Sequence, residues 1–93
     1  QNAVINPCAK IGKHVLIEAG AVIDCDCEIQ DYAYIGPGAI IGARAVIESR
    51  VSISGGAYIN PGVKIGRLAS IYPGVAALRD VPEASFLRYS HES

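Results

Sequence analysis

Apolar residues recur along this chain with a period of six. Isoleucine occupies every sixth position from Ile5 through Ile11, Ile17, Ile23, Ile29, Ile35, Ile41, Ile47, Ile53, Ile59 and Ile65 to Ile71, and only Ile40 lies outside the series. Four residues after each comes a small or β-branched apolar side chain: Ala9, Val15, Ala21, Cys27, Ala33, Ala39, Ala45, Val51, Ala57, Val63, Ala69 and Val75. A helix repeats every ~3.6 residues and a strand every two, so neither alone gives this period. Short strands with alternating faces, broken once per repeat by a two-residue corner, do give it. Each isoleucine and the residue two before it point inward, and the residue between them points out. The corner positions hold turn chemistry: Ala19-Gly20, Pro37-Gly38, Gly55-Gly56, Pro61-Gly62 and Pro73-Gly74. Three such hexads close a triangular coil, in which residues eighteen apart stack about 4.8 Å apart. The predicted fold is all-β, a parallel β-helix of about four coils from Ile5 to Ala76, with the twelve periodic isoleucines inside.

The pattern fades after Val75. Ala77 takes an isoleucine position and Val81 fits the small inward position, whereas Glu83 to Ser93 falls out of phase. The expected organisation is a β-helix over residues 1–82 and a C-terminal tail or cap over 83–93, with Phe86, Leu87 and Tyr89 folding over the open end. The chain contains no methionine, so Gln1 is not a translation start, and Ala3 already holds an inward position. These features suggest a segment cut from a longer protein.

Sorting the outward residues by face separates one surface from the other two. The first face presents Val4, Val22, Ile40, Tyr58 and Ala76, the second Lys10, Glu28, Val46 and Lys64, and the third Leu16, Tyr34, Ser52 and Ser70. Only the first forms a continuous apolar stripe, which predicts an interface; a homotrimer packed through these five residues is expected. The corner from the third face to the first reads Ala19-Gly20, Pro37-Gly38, Gly55-Gly56 and Pro73-Gly74, without a bulky aromatic or charged side chain. Turn chemistry accounts for each of these residues singly. Close approach by a ligand or a neighbouring chain accounts for the column as a whole. The other corners carry Lys13-His14, Asp31-Tyr32, Ala43-Arg44, Ser49-Arg50 and Arg67-Leu68.

Composition narrows the choice further. The net charge is −1 and no basic run exists, which argues against nucleic acid or an anionic membrane as partner. No apolar run approaches the ~20 residues of a membrane span, and without a signal-peptide pattern a cytoplasmic location is expected. The chain has no threonine, which removes an ice-binding β-helix. Cys8, Cys25 and Cys27 are spread over inward and outward positions, so neither a metal site nor a disulfide framework is expected. His14 should stack with Tyr32 and Arg50 on a corner and His91 lies in the tail; a lone corner histidine reads as a solvated surface residue. Asp26 and Arg44, eighteen apart, should form a surface ion pair.

Several segments in order resemble bacterial sugar acetyltransferases of the sialic acid O-acetyltransferase type. They are Asn6-Pro7, Ala21-Val22-Ile23, Asp26-Cys27, Asp31-Tyr32-Ala33, Pro37-Gly38-Ala39, Pro61-Gly62-Val63-Lys64-Ile65-Gly66 and Asp80-Val81-Pro82. The resemblance implies a left-handed winding, a trimer, and acetyl-CoA as co-substrate in the groove between protomers. It also implies a corner histidine acting as general base on a sugar hydroxyl or amine, and a nucleotide-binding domain ahead of the β-helix. On the glycine corner it points to Gly38, Gly56 and Gly74 as acetyl-CoA contacts.

The departures bear on the chemistry. The family's His-Asp-Cys triplet reads Cys25-Asp26-Cys27 here, a second family histidine is Tyr34, and a family serine is Gly36. The closing family segment near the nucleotide end of CoA is replaced by Phe86-Leu87-Arg88-Tyr89. The catalytic candidates are therefore Asp26 and, at the histidine position, Cys25. An unperturbed thiol has a pKa near ~8.5, so little of it is thiolate at neutral pH, and it is a poor proton shuttle. Covalent acyl transfer through Cys25 is the less favoured route. The expected function is an acetyl-CoA-dependent acetyltransferase domain acting on a hydroxyl or amine of a nucleotide sugar or sialic acid, weakened by Cys25. The alternative is a non-catalytic β-helix scaffold that trimerises.

Overall fold

The computed structural model describes residues 3–88. Fourteen two-residue strands follow one another at intervals of six through β13: β1 Val4–Ile5, β2 Lys10–Ile11, β3 Leu16–Ile17, β4 Val22–Ile23, β5 Glu28–Ile29, β6 Tyr34–Ile35, β7 Ile40–Ile41, β8 Val46–Ile47, β9 Ser52–Ile53, β10 Tyr58–Ile59, β11 Lys64–Ile65, β12 Ser70–Ile71, β13 Ala76–Ala77 and β14 Phe86–Leu87. They form three parallel sheets, β1-β4-β7-β10-β13, β2-β5-β8-β11 and β3-β6-β9-β12-β14. Equivalent residues pair across eighteen positions, as in Val22 with Ile40 and Ile23 with Ile41. The first residue of each strand points out and the second points in. Amides on each side of the inward residue donate to the next coil, for example Val22 N to Ala39 O at 2.9 Å and Asp24 N to Ile41 O at 3.0 Å.

Isoleucines and small residues fill the prism as the period demands. Nine isoleucines, from Ile23 to Ile71, are at most 1% exposed, and Ala21, Cys27, Ala33, Ala39, Ala45 and Ala57 pack between them. Each wholly buried isoleucine contributes roughly 1.5–3 kcal/mol. The expectation of twelve buried isoleucines fails in the first coil. Ile5 and Ile11 are 48% and 38% exposed and Ile17 is half-buried, because no described coil stacks beneath them.

The coil count also needs correction. The four expected coils become nearly five, because the chain past Val75 continues the solenoid. Val81 bridges Ile65, and Phe86–Leu87 pairs with Ser70–Ile71, each across sixteen residues instead of eighteen. Two residues are thus missing from the corner at Leu78-Arg79-Asp80. Val81 occupies an isoleucine position, not the small inward one, and Leu87 follows six residues later on the inside. Phe86 and Leu87 therefore form a strand and do not fold over the end. Tyr89 and His91 lie outside the described residues. No helix is long and apolar enough to cross a membrane among the described residues.

Candidate functional site

Apart from the shortened corner at Leu78-Arg79-Asp80, every two-residue corner turns the chain the same way. Its second residue has positive φ: 57–71° at Cys8, His14, Asp26, Tyr32, Arg44, Arg50, Leu68 and Ala84, and 71–78° at Gly20, Gly38, Gly56, Gly62 and Gly74. Side-chain residues in that region bear a strain of roughly 1–2 kcal/mol each. On the corner from the third face to the first, all four such positions are glycine: Gly20, Gly38, Gly56 and Gly74. Their amides tie the corner together along its length: Gly38 N to Ala19 O at 3.1 Å, Gly56 N to Pro37 O at 2.9 Å and Gly74 N to Gly55 O at 3.0 Å. A Cβ built on Gly38 or Gly74 would meet nothing within 4 Å. The lane over this corner is therefore open to an incoming molecule. It borders the apolar stripe, where Val4, Ile40 and Tyr58 are exposed and Val22 is half-buried, stacked in the register Val4, Val22, Ile40, Tyr58, Ala76.

Cys25 and Asp26 lie on the opposite edge of the first face, on the corner leading to the second. Asp26 takes the left-handed position and Cys25 is exposed beside it. The Cys25 amide donates to Asp24 Oδ1 at 2.7 Å. A side-chain hydrogen bond to Asp24 pushes the Cys25 thiol up, with smaller contributions from desolvation and from the negative charges of Asp24 and Asp26. Thiolate is therefore scarcer at Cys25 than at a free cysteine. The expected ion pair between Asp26 and Arg44 does not form: ion pairs among the described residues are Lys64–Glu48 and Arg67–Glu83, both at 3.5 Å. Arg44 instead donates its amide to Cys25 O at 2.9 Å. Cys27 points inward as expected; its Sγ donates to Gly42 O at 3.0 Å, and burial raises its pKa.

The structure thus leaves the two candidate groups apart. Within one chain the glycine lane and the Cys25-Asp26 corner sit on opposite edges of the first face. His14 is remote from both, on the corner between the second and third faces. It stacks on Tyr32 with ring centroids 5.1 Å apart, and Arg50 covers that ring at 4.6 Å. No carboxylate orients His14 among the described hydrogen bonds. No group of three or more His, Cys, Asp or Glu side chains among the described residues could hold a metal ion.

Two concavities escaped the sequence reading. A cavity of about 470 Å³ opens at the C-terminal end, lined by Leu78, Val81, Phe86 and Leu87 with their neighbours. A second, of about 360 Å³, lies on the second face between Glu48, Lys64 and Asp80–Glu83. Both arise where the last coil is shortened. The signal was the six-residue spacing of Val81 and Leu87, a hexad displaced in phase.

Comparison with known proteins agrees with this architecture. Residues 20–55 match the family described as bacterial transferase hexapeptide (six repeats). PerB from Caulobacter crescentus, solved with CoA and GDP-perosamine, is 28% identical over 95% of this chain and 51% of its own, with a TM-score of 0.62. A hexapeptide-repeat acetyltransferase from Vibrio cholerae O1 biovar eltor, solved with acetyl coenzyme A, is 23% identical over 94% of this chain and 60% of its own, with a TM-score of 0.88. A serine acetyltransferase solved with cysteine is 24% identical over 96% of this chain and 38% of its own, with a TM-score of 0.89. The chain spans between 38% and 60% of the length of these three proteins. No curated protein matches it by sequence. The fold is that of the hexapeptide-repeat acetyltransferases.

Proposed function

We propose that this chain is the acyl-donor-binding part of an acetyl-CoA-dependent acetyltransferase whose acceptor is a hydroxyl or amine of a sugar. The observation that carries the reading is the open lane over Gly38, Gly56 and Gly74, with no aromatic or charged side chain on that corner, beside an exposed apolar stripe. A long, flexible pantetheine arm suits such a lane. It can lie against backbone without clashing, and exposed backbone groups can take its amides. The solved structures that share the fold and hold CoA or acetyl-CoA support this choice of ligand.

Assembly completes the site in this reading. Because the lane and Cys25-Asp26 flank opposite edges of the first face, one copy brings its lane beside the Cys25-Asp26 corner of another when copies pack through that face. A closed homotrimer built on Val4, Val22, Ile40, Tyr58 and Ala76 does this three times over. Burying Val22, Ile40 and Tyr58 stabilises such a contact by on the order of 1.5–3 kcal/mol per side chain. Transfer through this centre is weak. Cys25 stands where the resembling enzymes have a base, and general-base catalysis typically contributes ~10²–10⁴ in rate. Asp26 would orient a base there, and the scarcity of Cys25 thiolate argues against a covalent acyl-enzyme.

The test is calorimetric titration with acetyl-CoA of the native chain and of Cys25→His, followed by transfer assays with amino- and hydroxy-sugar acceptors. Both forms are expected to bind alike, with faster transfer by Cys25→His. Binding by neither would remove the enzyme reading. The Cys25 substitution favours the second reading, a trimerising scaffold without catalysis, and binding without transfer in either form would establish it. Ile40→Asp is expected to reduce the sedimenting species from trimer to monomer, and a native chain already monomeric at micromolar concentration would refute the interface.

A further inference from the structure

The corner that carries Cys25 and Asp26 is tied differently from the others. In every other two-residue corner with a described corner beneath it, the second residue donates its amide to the first residue below. Tyr32 N does so to Lys13 O at 2.9 Å, Arg44 N to Cys25 O at 2.9 Å and Arg50 N to Asp31 O at 3.0 Å. The same bond recurs at Gly38, Gly56, Gly62, Leu68, Gly74 and Ala84. Cys25-Asp26 stacks on Pro7-Cys8 without a shift, because Val22–Ile23 pairs with Val4–Ile5 before it and Glu28–Ile29 with Lys10–Ile11 after it. The Asp26 amide nevertheless makes no such bond among the described residues.

A side chain takes over the hold. Asp24 is half-buried and its amide is locked to Ile41 O at 3.0 Å, so its carboxylate stands on a fixed base. Through Oδ1 that carboxylate accepts the Cys25 amide at 2.7 Å. Asp26 is exposed at the left-handed position beyond it. We propose that Asp24 is a positioning residue of this centre, whose carboxylate fixes residue 25 on the corner and holds the Cys25 side chain as a neutral, hydrogen-bonded thiol. The role rests on the reading of Cys25-Asp26 as the reacting corner, and it adds a residue that the resemblance does not name.

The surroundings of the thiol agree. The hydrogen bond to Asp24 is the largest cause that pushes it up, followed by desolvation and by the charges of Asp24, Asp26 and, from the coil beneath, Cys8. From the coil above, Arg44 meets Cys25 through its backbone amide. Asp24 therefore governs how much thiolate this corner offers.

The test is the pH profile of Cys25 alkylation by iodoacetamide, resolved from Cys8 by peptide mass spectrometry. It compares the native chain with Asp24→Asn and Asp26→Asn, and circular dichroism melts check that each variant folds. Asp24→Asn keeps an oxygen for the Cys25 amide but removes the charge, so a mere brace of the corner would leave the profile in place. Asp24→Asn is expected to move the profile to lower pH and to speed alkylation at neutral pH about three- to tenfold, because the thiolate is the form that reacts. Asp26→Asn is expected to change the rate by less than about twofold. A profile unmoved by Asp24→Asn, or moved as far by Asp26→Asn, overturns the proposal. In the Cys25→His form, adding Asp24→Asn is expected to lower kcat for acetyl transfer with the acceptor KM little changed, and an unchanged kcat also overturns it. If no form transfers acetyl, the acetyltransferase reading falls, while the alkylation profiles still decide the role of Asp24.

Discussion

The corner joining the third face to the first and the corner joining the second to the third share a backbone shape but differ in what they carry. One column reads Gly20, Gly38, Gly56, Gly74; the other reads His14, Tyr32, Arg50, Leu68, Ala84, and all nine residues have positive φ. The second column shows that the solenoid tolerates side chains in this conformation. Strain alone therefore does not require glycine throughout the first. Crowding inside the chain does not require it either, since a Cβ on Gly38 or Gly74 meets nothing within 4 Å. Glycine at Gly42 is a different matter: a Cβ there would lie 2.6 Å from Pro61 N and 2.7 Å from Ile59 O. One kind of glycine is imposed by the neighbouring coil, and the other leaves a surface clear.

The strongest perturbation of this contrast removes the support beneath both corners. Ile53 lies on the third face between them, wholly buried. Ile53→Ala is expected to cost about 2–5 kcal/mol in urea unfolding, through lost burial and a cavity. A cost below ~1 kcal/mol would contradict its place in the core.

Next in size is the difference between the two kinds of glycine. Gly42→Ala is expected to destabilise by about 1–3 kcal/mol, since the backbone of the next coil must shift to admit the methyl group. Gly38→Ala bears only the conformational strain, roughly 1–2 kcal/mol. Acetyl-CoA affinity should move the other way, falling on the order of tenfold (about 1.4 kcal/mol) for Gly38→Ala and little for Gly42→Ala. Calorimetric titration of both variants separates the roles, and equal affinity in both would mean the lane is not the ligand's path.

The smallest effect probes the side-chain-bearing corners. Arg44 holds a left-handed conformation with φ 64° and forms no ion pair with Asp26. Arg44→Gly relieves the strain, offset by the greater freedom of glycine in the unfolded chain, for a net gain of roughly 0.5–1 kcal/mol. Thermal melting is expected to move up by a few degrees. A fall would show that the Arg44 side chain stabilises the corner after all.

Much of this architecture could be read directly from spacing. The period of six identified the inward positions from Ile23 to Ile71, the three outward columns and the glycine corner. What escaped was the last coil. The loss of two residues near Leu78-Arg79-Asp80 breaks the phase, so counting by sixes puts Val81 at the small inward position and leaves Phe86–Leu87 out of the sheet, whereas both continue it. The site was legible residue by residue but not as a place. The resemblance named both Cys25-Asp26 and the glycines, while the spacing of hexads around the triangle sets them on opposite edges of one face.

The sequence by itself determined which side chains point inward and which positions turn. Both follow from short-range geometry: alternation along a strand two residues long, and a two-residue corner that returns every six. Only the tertiary structure decided which inward residues are buried, because cover comes from the coil above or below, not from the strand itself. Ile5 and Ile23 hold equivalent positions, yet one is half-exposed and the other wholly buried. The environment of Cys25 was also a tertiary outcome. Its raised thiol pKa comes from how Asp24 and Asp26 fold around it at the turn, and a linear reading of Cys25-Asp26-Cys27 contains the residues but not that geometry.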